Sequence, residues 1–337
     1  MVNLKTKYMG LELKNPIIVG ANNMLEDIEK IKKIEESGAA AIVFYKSLFE
    51  EEIQLERLQL QESMEEYDNR NAMMIDLFPN IKHAGPAEHL FKLREIKKAA
   101  SIPVIASLNA VNKEVWVEHA KKIEETGVDG LELNLYFSPS ATNFNSVLIE
   151  NRQLDIVREV RQNVKIPISL KLSYFYTNPL NIISRMDNLG VNGFVLFNRL
   201  FEPDIDLNKE EHSNSFNLSN KGDNKLSMRF TGLLYKEIKA DICGSTGIFT
   251  GDDVIKMILS GASCVQCVST LYKNGIENIS EMLKEIQIWM EEKRYKTLED
   301  FRGKLAKKSL KTPFSYGRVQ YVDILMNKEI IMRKKNM

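Results

Sequence analysis

The residues with the clearest chemical meaning are polar side chains and glycines that directly follow short apolar runs. They are amides, cations, hydroxyls and small residues, with no carboxylate among them: Ala21-Asn22, Lys46-Ser47, Asn109, Asn134, Lys171, Asn198-Arg199, Gly244-Ser245-Thr246-Gly247 and Ser269-Thr270. Taken singly, such a lysine is more often emerging into solvent, and such an asparagine is more often a turn residue. As a set, these donors and cations favour an electron-rich, anionic ligand.

Two segments of small residues sharpen this prediction. Gly244–Ile248 precedes a predicted helix, and Val268–Thr270 follows the next apolar run. Backbone N–H groups can approach a phosphate closely where side chains are small, so we favour a phosphate site. The alternative is an ordinary glycine turn in which Thr250 is the N-cap of the following helix.

Lys171 is the best candidate for tuning an electron-transfer group. A buried cation at the end of a central strand can stabilise the negative charge of a reduced flavin. The C-x-x-C pair Cys264 and Cys267 lies inside an apolar run, where residues three apart face opposite sides of a strand. We therefore interpret both cysteines as buried small hydrophobic residues and expect no metal site.

A scaffold must bring these residues together, and the chain alternates strand-like and helix-like segments throughout. The predicted strands are residues 16–20, 40–45, 103–107, 130–135, 167–172, 193–197, 241–243 and 262–268. Eight successive strand–helix units predict a (β/α)8 TIM barrel, in which long loops 50–88 and 198–225 lie over the C-terminal face. The alternative is a doubly wound open sheet, but the first turn, Gly20–Met24, lacks its G-x-G-x-x-G pattern.

Composition excludes several other classes of protein. The 337 residues carry 46 Lys+Arg and 46 Asp+Glu, and a neutral chain is a poor partner for nucleic acid or an anionic membrane. Three cysteines cannot build a disulfide framework. The first residues lack the apolar core of a secretory signal, so we expect a cytoplasmic protein with a small-molecule substrate. A homodimeric state is left open.

The chemical residues and the predicted barrel together resemble the dihydroorotate dehydrogenase family of FMN-binding barrels. The resemblance covers about residues 1–310 and rests on several matched segments: Leu4–Pro16 as the N-terminal hairpin, Lys46-Ser47, Glu132–Leu135, Lys171, Asn198, Thr246–Ile248 and Val268-Ser269. Residues 198–207 and 295–303 more closely resemble a subgroup called dihydroorotate dehydrogenase-like proteins. The resemblance implies one FMN-binding barrel over residues 1–310 and a C-terminal extension over residues 311–337.

The resemblance also implies roles for individual residues. Together with the positions at the strand ends, it predicts FMN binding by Ala21, Asn22, Lys46, Ser47, Asn109, Asn134, Lys171, Gly244, Thr246, Gly247, Val268 and Ser269. It assigns substrate binding to Lys46, Asn134, Asn198 and Arg199. Catalysis is assigned to Ser138, Lys46 and Lys171, with Lys171 beside N1 and O2 of the flavin.

Two departures from the family pattern concern the chemistry. The family's base, a cysteine or serine before a proline, corresponds to Ser138 only if one residue is inserted. Without the insertion, Phe137 stands there and the family's base is absent, so the base is Ser138, the fallback Tyr136 or none. The family's substrate loop is represented by residues 73–80, where Asp76 is new and would repel a carboxylate. Arg199 replaces a serine and could instead clamp a carboxylate.

Several functions therefore remain open at the level of sequence. The first is an FMN-dependent oxidoreductase that converts dihydroorotate to orotate in pyrimidine biosynthesis. The second is an FMN oxidoreductase of the same family with a different small substrate. The third is a flavoprotein without the dihydroorotate reaction, and the fourth is a flavin-free barrel lyase or isomerase that uses Lys46 or Lys171.

Overall fold

The chain closes into a parallel barrel surrounded by helices. The computed structural model describes residues 2–45, 86–109, 113–135, 145–199, 204–213, 218–311, 316–317 and 325–326. The barrel strands follow one another in the order β11-β12-β3-β4-β5-β6-β7-β8 and then return to β11. This closure confirms the predicted (β/α)8 TIM barrel and excludes the open doubly wound sheet.

The barrel strands form where apolar and β-branched residues are concentrated. They are β3 (Ile17–Val19), β4 (Ala41–Tyr45), β5 (Val104–Leu108), β6 (Gly130–Leu135), β7 (Ile168–Leu172), β8 (Gly193–Leu196), β11 (Asp241–Ser245) and β12 (Cys264–Cys267). Strands β5 and β7 are buried at every position, because a parallel barrel has side chains on one face and helices on the other.

Most of the helices that cover the barrel lie close to their predicted positions. They are α1 (Ile28–Glu36), α2 (Pro86–Ala99), α3 (Lys113–Glu124), α4 (Ser146–Asn163), α5 (Pro179–Asp187), α6 (Lys225–Leu234), α7 (Gly251–Ser260), α8 (Ser269–Asn274) and α9 (Asn278–Glu292). Short 3-10 turns cover Asn23–Glu26, Leu298–Asp300 and Lys307–Ser309. None of the helices in the described residues is long and apolar enough to cross a membrane.

The N-terminal hairpin fills the amino end of the barrel. Its strands are β1 (Thr6–Tyr8) and β2 (Leu11–Leu13), and Tyr8 and Met9 are buried. A Cβ atom on Gly193 would lie 2.9 Å from Cε2 of Tyr8, so the glycine that begins β8 makes room for this ring.

Three features differ from the sequence prediction. Helix α6, predicted over residues 226–239, ends at Leu234, and Lys236 follows with a φ of 61°. The polar segment 198–225 contains an antiparallel hairpin, β9 (Asp204–Asp206) and β10 (Glu211–Ser213). Helix α8 follows β12 directly and was not predicted. Each of these short features depends on local contacts, which leave no long periodic pattern in the sequence.

Candidate active site

A cavity of about 210 Å³ opens at the carboxyl end of the barrel, where barrel enzymes carry their active sites. Its lining brings together eight of the residues predicted from the sequence: Ala21, Lys171, Asn198, Arg199, Thr246, Gly247, Val268 and Ser269. These residues follow or end β3, β7, β8, β11 and β12. Parallel strands end at one rim, so residues that are far apart in the chain meet there.

Lys171 occupies one side of this cavity and is only 8% exposed. Its ammonium group donates to Oε1 of Gln266 at 3.4 Å and lies 3.9 Å from Oε1 of Glu132. The Gln266 amide in turn donates from Nε2 to Oε2 of Glu132 at 2.5 Å. These three side chains form a closed polar network inside the barrel, which we call the barrel triad.

Two asparagines form a neighbouring amide pair. Asn134 lies opposite Lys171 in the β6–β7 register, and Asn198 follows the end of β8. Nδ2 of Asn198 donates to Oδ1 of Asn134 at 2.9 Å. The bond leaves the Asn134 amide N–H groups and the Asn198 carbonyl oxygen as a donor and an acceptor for a heterocyclic ligand.

The small-residue loops after β11 and β12 form another side of the cavity. Thr246 and Gly247 both have a φ of 72°, and Ser219 lies beside them, where its hydroxyl accepts a bond from the Gly247 N–H at 3.2 Å. Val268 begins helix α8 without a side-chain cap. The Leu271 N–H donates to the Val268 carbonyl at 2.9 Å, whereas the Ser269 and Thr270 N–H groups that precede it have no partner within the helix and can bind an anion.

The structure confirms the N-cap that the alternative interpretation of the first loop predicted. Thr250 caps helix α7 through a capping box with Asp253. The Asp253 carboxylate accepts bonds from the Phe249 and Thr250 N–H groups and from the Asn224 amide. These bonds hold the carboxylate at the start of α7, and Asp253 is not among the described lining residues of the cavity.

Other predicted residues have structural roles or lie beside the cavity. Asn22 accepts from the Met24 N–H and donates to the Gly20 carbonyl, so its side chain caps the turn that follows β3. Gly244 packs against α7, since a Cβ atom there would lie 2.8 Å from Sδ of Met257. Asn109, after β5, is half-buried and is not among the described lining residues of the cavity.

Arg199 is engaged by a carboxylate of the protein itself. Its Nη1 donates to Oδ2 of Asp223 at 2.8 Å, and the same oxygen accepts a bond from the Asn220 N–H. Both side chains are about one quarter to one third exposed. The predicted carboxylate clamp is therefore already paired, and a ligand would have to compete with Asp223 for it.

Several predicted residues lie outside the described part of the chain. They are Lys46, Ser47, Tyr136, Ser138 and the segment 73–80. Their assignments stay predictions.

Sequence reasoning missed Glu132, Gln266, Ser219 and Asp223 as parts of the site. A signal existed for Glu132, because residues two apart in a strand share a face and Asn134 was already predicted to face the ligand. The same signal existed for Gln266, which lies two positions before Val268, a predicted FMN-binding residue. No sequence pattern connects Ser219 or Asp223 to the site, since both lie in the irregular segment before α6.

Comparisons with known proteins agree with this architecture. The family model described as dihydroorotate dehydrogenase matches residues 3–290. The dihydroorotate dehydrogenase B (NAD(+)) catalytic subunit of Methanocaldococcus jannaschii is 28% identical over 314 residues, which cover 89% of this chain and 97% of the relative. The protein of the same name in Thermoplasma volcanium is 29% identical and covers 90% and 98%. A probable dihydroorotate dehydrogenase A (fumarate) of Streptococcus pneumoniae is 25% identical and covers 90% and 99%.

Proposed function

The chain belongs to the dihydroorotate dehydrogenase family and is an oxidoreductase, and from this premise we propose that it binds FMN and oxidises dihydroorotate to orotate. The observation that carries the proposal is the single cavity that joins Lys171 to the small-residue loops after β11 and β12. A cation on one side and N–H donors on another suit a ligand that has both an electron-accepting ring and a phosphate.

The donor set of the cavity fits FMN chemically. The first-turn N–H groups of α8 and the Ser269 hydroxyl would hold the phosphate, and Lys171 would face the edge of the ring that becomes negative on reduction. Bound FMN would supply the hydride acceptor of the reaction. The protein's own task is to orient the substrate, through Asn134 and Asn198, and to remove a proton, for which Ser138 is the family-implied base.

The proposal is tested by the purified chain itself. We expect the protein to be yellow with bound FMN, and we expect anaerobic addition of dihydroorotate to bleach the flavin absorbance. A protein that stays colourless in the presence of added FMN would overturn flavin binding and revive the lyase or isomerase hypothesis.

A pair of glycine variants tests the phosphate loops. Gly247 has a φ of 72°, and a Cβ atom there would lie 2.6 Å from the Asn224 backbone nitrogen. Gly190 has a similar φ of 83° but has nothing within 4 Å of its Cβ position, and it lies near the amino end of β8. Both substitutions carry a similar backbone penalty of about 1–2 kcal/mol. Gly247→Ala is expected to weaken FMN binding at least tenfold, whereas the control Gly190→Ala should leave FMN binding unchanged.

One observation favours a second candidate, an FMN oxidoreductase that acts on a different small substrate. The Arg199 guanidinium is paired with Asp223, whereas dihydroorotate carries a carboxylate that needs a cation. A yellow protein whose flavin is not bleached by dihydroorotate would favour this candidate or a flavoprotein without the dihydroorotate reaction.

The electron acceptor is proposed only as a class. Relatives are named for NAD(+) with a catalytic subunit and for fumarate. We propose either a soluble acceptor or a separate partner subunit, and reoxidation of the reduced chain by fumarate alone would favour the soluble acceptor.

A further inference from the structure

The barrel triad places a carboxylate directly behind the cavity. Glu132 is fully buried and is not among the described lining residues of the cavity, whereas its partners Lys171 and Gln266 both line it. Ser107 also approaches the carboxylate, with Oγ 3.5 Å from Oε1. A ligand in the cavity would therefore meet the lysine and the glutamine, and the carboxylate could act only through them.

The orientation of the Gln266 amide follows from the charges on either side of it. An ionised carboxylate only accepts hydrogen bonds and an ammonium group only donates them. Nε2 therefore points to Glu132 at 2.5 Å and Oε1 points to Lys171 at 3.4 Å, as the structure has them. The 3.9 Å separation of Lys171 and Glu132 is too long for a direct hydrogen bond, so the amide is the hydrogen-bonded link between them.

Burial makes the two charges depend on each other. A buried lysine without a counter-charge tends to lose its proton, and a buried carboxylate without one tends to gain a proton. With Lys171 only 8% exposed, a protonated lysine needs the carboxylate behind it. A buried ion pair often adds little net stability to a fold. Stability alone therefore does not explain why the Lys171–Glu132 pair lies behind the cavity.

In the part of the chain that the structure describes, the other titratable groups near the triad do not provide this counter-charge. Arg199 lines the same cavity and is paired with Asp223. Burial raises the pKa of the Cys267 thiol, which also lines the cavity, to about 12. Below Glu132, burial raises the pKa of Tyr8 well above its ordinary value, so this phenol is neutral.

We propose that Glu132 is a positioning residue that keeps Lys171 protonated and, through Gln266, aims its ammonium group into the cavity, thereby setting the reduction potential of the bound flavin. This inference rests on the proposed function for the flavin. The relation between Glu132 and Lys171 itself is independent of any ligand.

The first test measures the flavin reduction potential between pH 6 and pH 9 in the FMN-loaded chain. In Glu132→Gln, the potential should equal or exceed that of the unmodified protein at pH 6, where Lys171 is protonated without its opposing carboxylate. At pH 9, where Lys171 has lost its proton in this variant, the potential of Glu132→Gln should fall below that of the unmodified protein. The double variant Glu132→Gln/Lys171→Met should lack this extra pH dependence. A constant difference between Glu132→Gln and the unmodified chain, or the same pH dependence in the double variant, would overturn the proposal.

The second test needs no flavin. In the full chain stripped of FMN, trace acetic anhydride labels only unprotonated amines, and peptide mass spectrometry compares Lys171 with exposed Lys98 as an internal standard. Labelling of Lys171 at pH 7 should be at least about tenfold faster in Glu132→Gln, because a buried lysine without its counter-charge loses its proton more readily. Ser169→Ala is the matched control, since Ser169 lies opposite Glu132 in the β6–β7 register. In this control variant the labelling rate of Lys171 should equal that of the unmodified chain.

The variants also separate the possible failures. If Glu132→Gln does not fold, Gln266→Met keeps both charges and removes only the link, and Lys171 labelling should still rise several-fold; an unchanged rate would overturn the proposal. If the unmodified chain binds no FMN, the proposed function fails, and the labelling experiment still decides whether Glu132 holds the proton on Lys171.

Discussion

At the amino end of the barrel, Tyr8 and Met9 fill the interior, whereas at the carboxyl end Lys171, Gln266 and Asn198 surround a cavity. Both ends bury titratable side chains inside the same ring of strands. At the amino end the fully buried groups Tyr8 and Cys264 are neutral, because burial raises the pKa values of the Tyr8 phenol and the Cys264 thiol well above their ordinary values.

The carboxyl end instead holds charged groups that are matched by partners. Lys171 faces Glu132, and Arg199 is bonded to Asp223. Charge is costly to bury unless it is paired and hydrogen-bonded, so the barrel pairs its charges where chemistry requires them and buries uncharged groups where only packing is needed. Variants at the two ends should accordingly fail in different assays.

The largest effect is expected from the predicted base at the carboxyl end. If the chain oxidises dihydroorotate, Ser138→Ala should slow flavin reduction by about 10²–10⁴-fold while FMN stays bound, because a general base contributes a factor of this size. Stopped-flow absorbance under anaerobic conditions measures the rate. Tyr136→Phe should slow the reaction much less, and the reverse ranking would move the role of base to Tyr136.

The amino end should show the opposite behaviour. Tyr8→Ala should lower the free energy of unfolding by about 3–5 kcal/mol, because it removes a fully buried aromatic side chain, and the flavin reduction potential should not change. Urea unfolding and a potential titration measure the two quantities.

Tyr8→Phe is the control for this prediction. Among the described residues, the Tyr8 hydroxyl has the Ser169 hydroxyl as its polar neighbour, but neither makes a well-formed hydrogen bond. Loss of the hydroxyl should therefore leave stability unchanged or raise it. A shift in the flavin potential in either Tyr8 variant would show that the two ends are coupled.

Lys171 is the residue at which the contrast between the ends should break down. Lys171→Ala should lower the flavin reduction potential more than Lys46→Ala, since one lost charge-assisted contact is worth roughly 1.5–3 kcal/mol. The same variant leaves Glu132 buried without its counter-charge and should also destabilise the fold. Equal and negligible shifts in potential from both lysine variants would show that Lys171 does not face the ring.

The smallest effect concerns Asp241 at the amino end. Burial raises the pKa of this carboxyl, although the Met9 N–H and the Ser263 hydroxyl both donate to it. The folded chain therefore holds this proton to a higher pH than the unfolded chain, and the contribution of Asp241 to stability falls as the pH rises above the ordinary aspartate value.

Asp241→Asn removes this titration and keeps the shape of the side chain. The stability of the variant relative to the unmodified protein should therefore increase as the pH rises from 3 to 6, in urea unfolding measured at each pH. A difference that shrinks over this range would mean that the folded structure favours the charged form.

Much of the scaffold could be predicted because it follows from local patterns. Residues 130–135 were predicted as a strand and form β6 (Gly130–Leu135), and the helix predicted over residues 147–164 is α4 (Ser146–Asn163). Helix α6 was predicted too long, because Tyr235 leaves helical geometry at a point that no proline or glycine marks.

The candidate site was predicted less completely. The small-residue loops and Lys171 were found from their places after apolar runs, and they line one cavity. Asn22 and Gly244 occupy similar places in the sequence, but the first caps a turn and the second packs against a helix. Residue type and position relative to a strand do not reveal which surrounding atoms will satisfy a side chain.

The sequence by itself determined the order of strands and helices, the closure into a barrel and the rim at which polar side chains collect, because these follow from periodicity and from the requirement that parallel strands be buried. Only the tertiary structure decided the partners. Gln266 and Glu132 are 134 positions apart, and Arg199 meets Asp223 from an irregular segment. The period of a strand fixes which face a side chain occupies, but the register around the closed barrel and the path of the loops fix what it touches there.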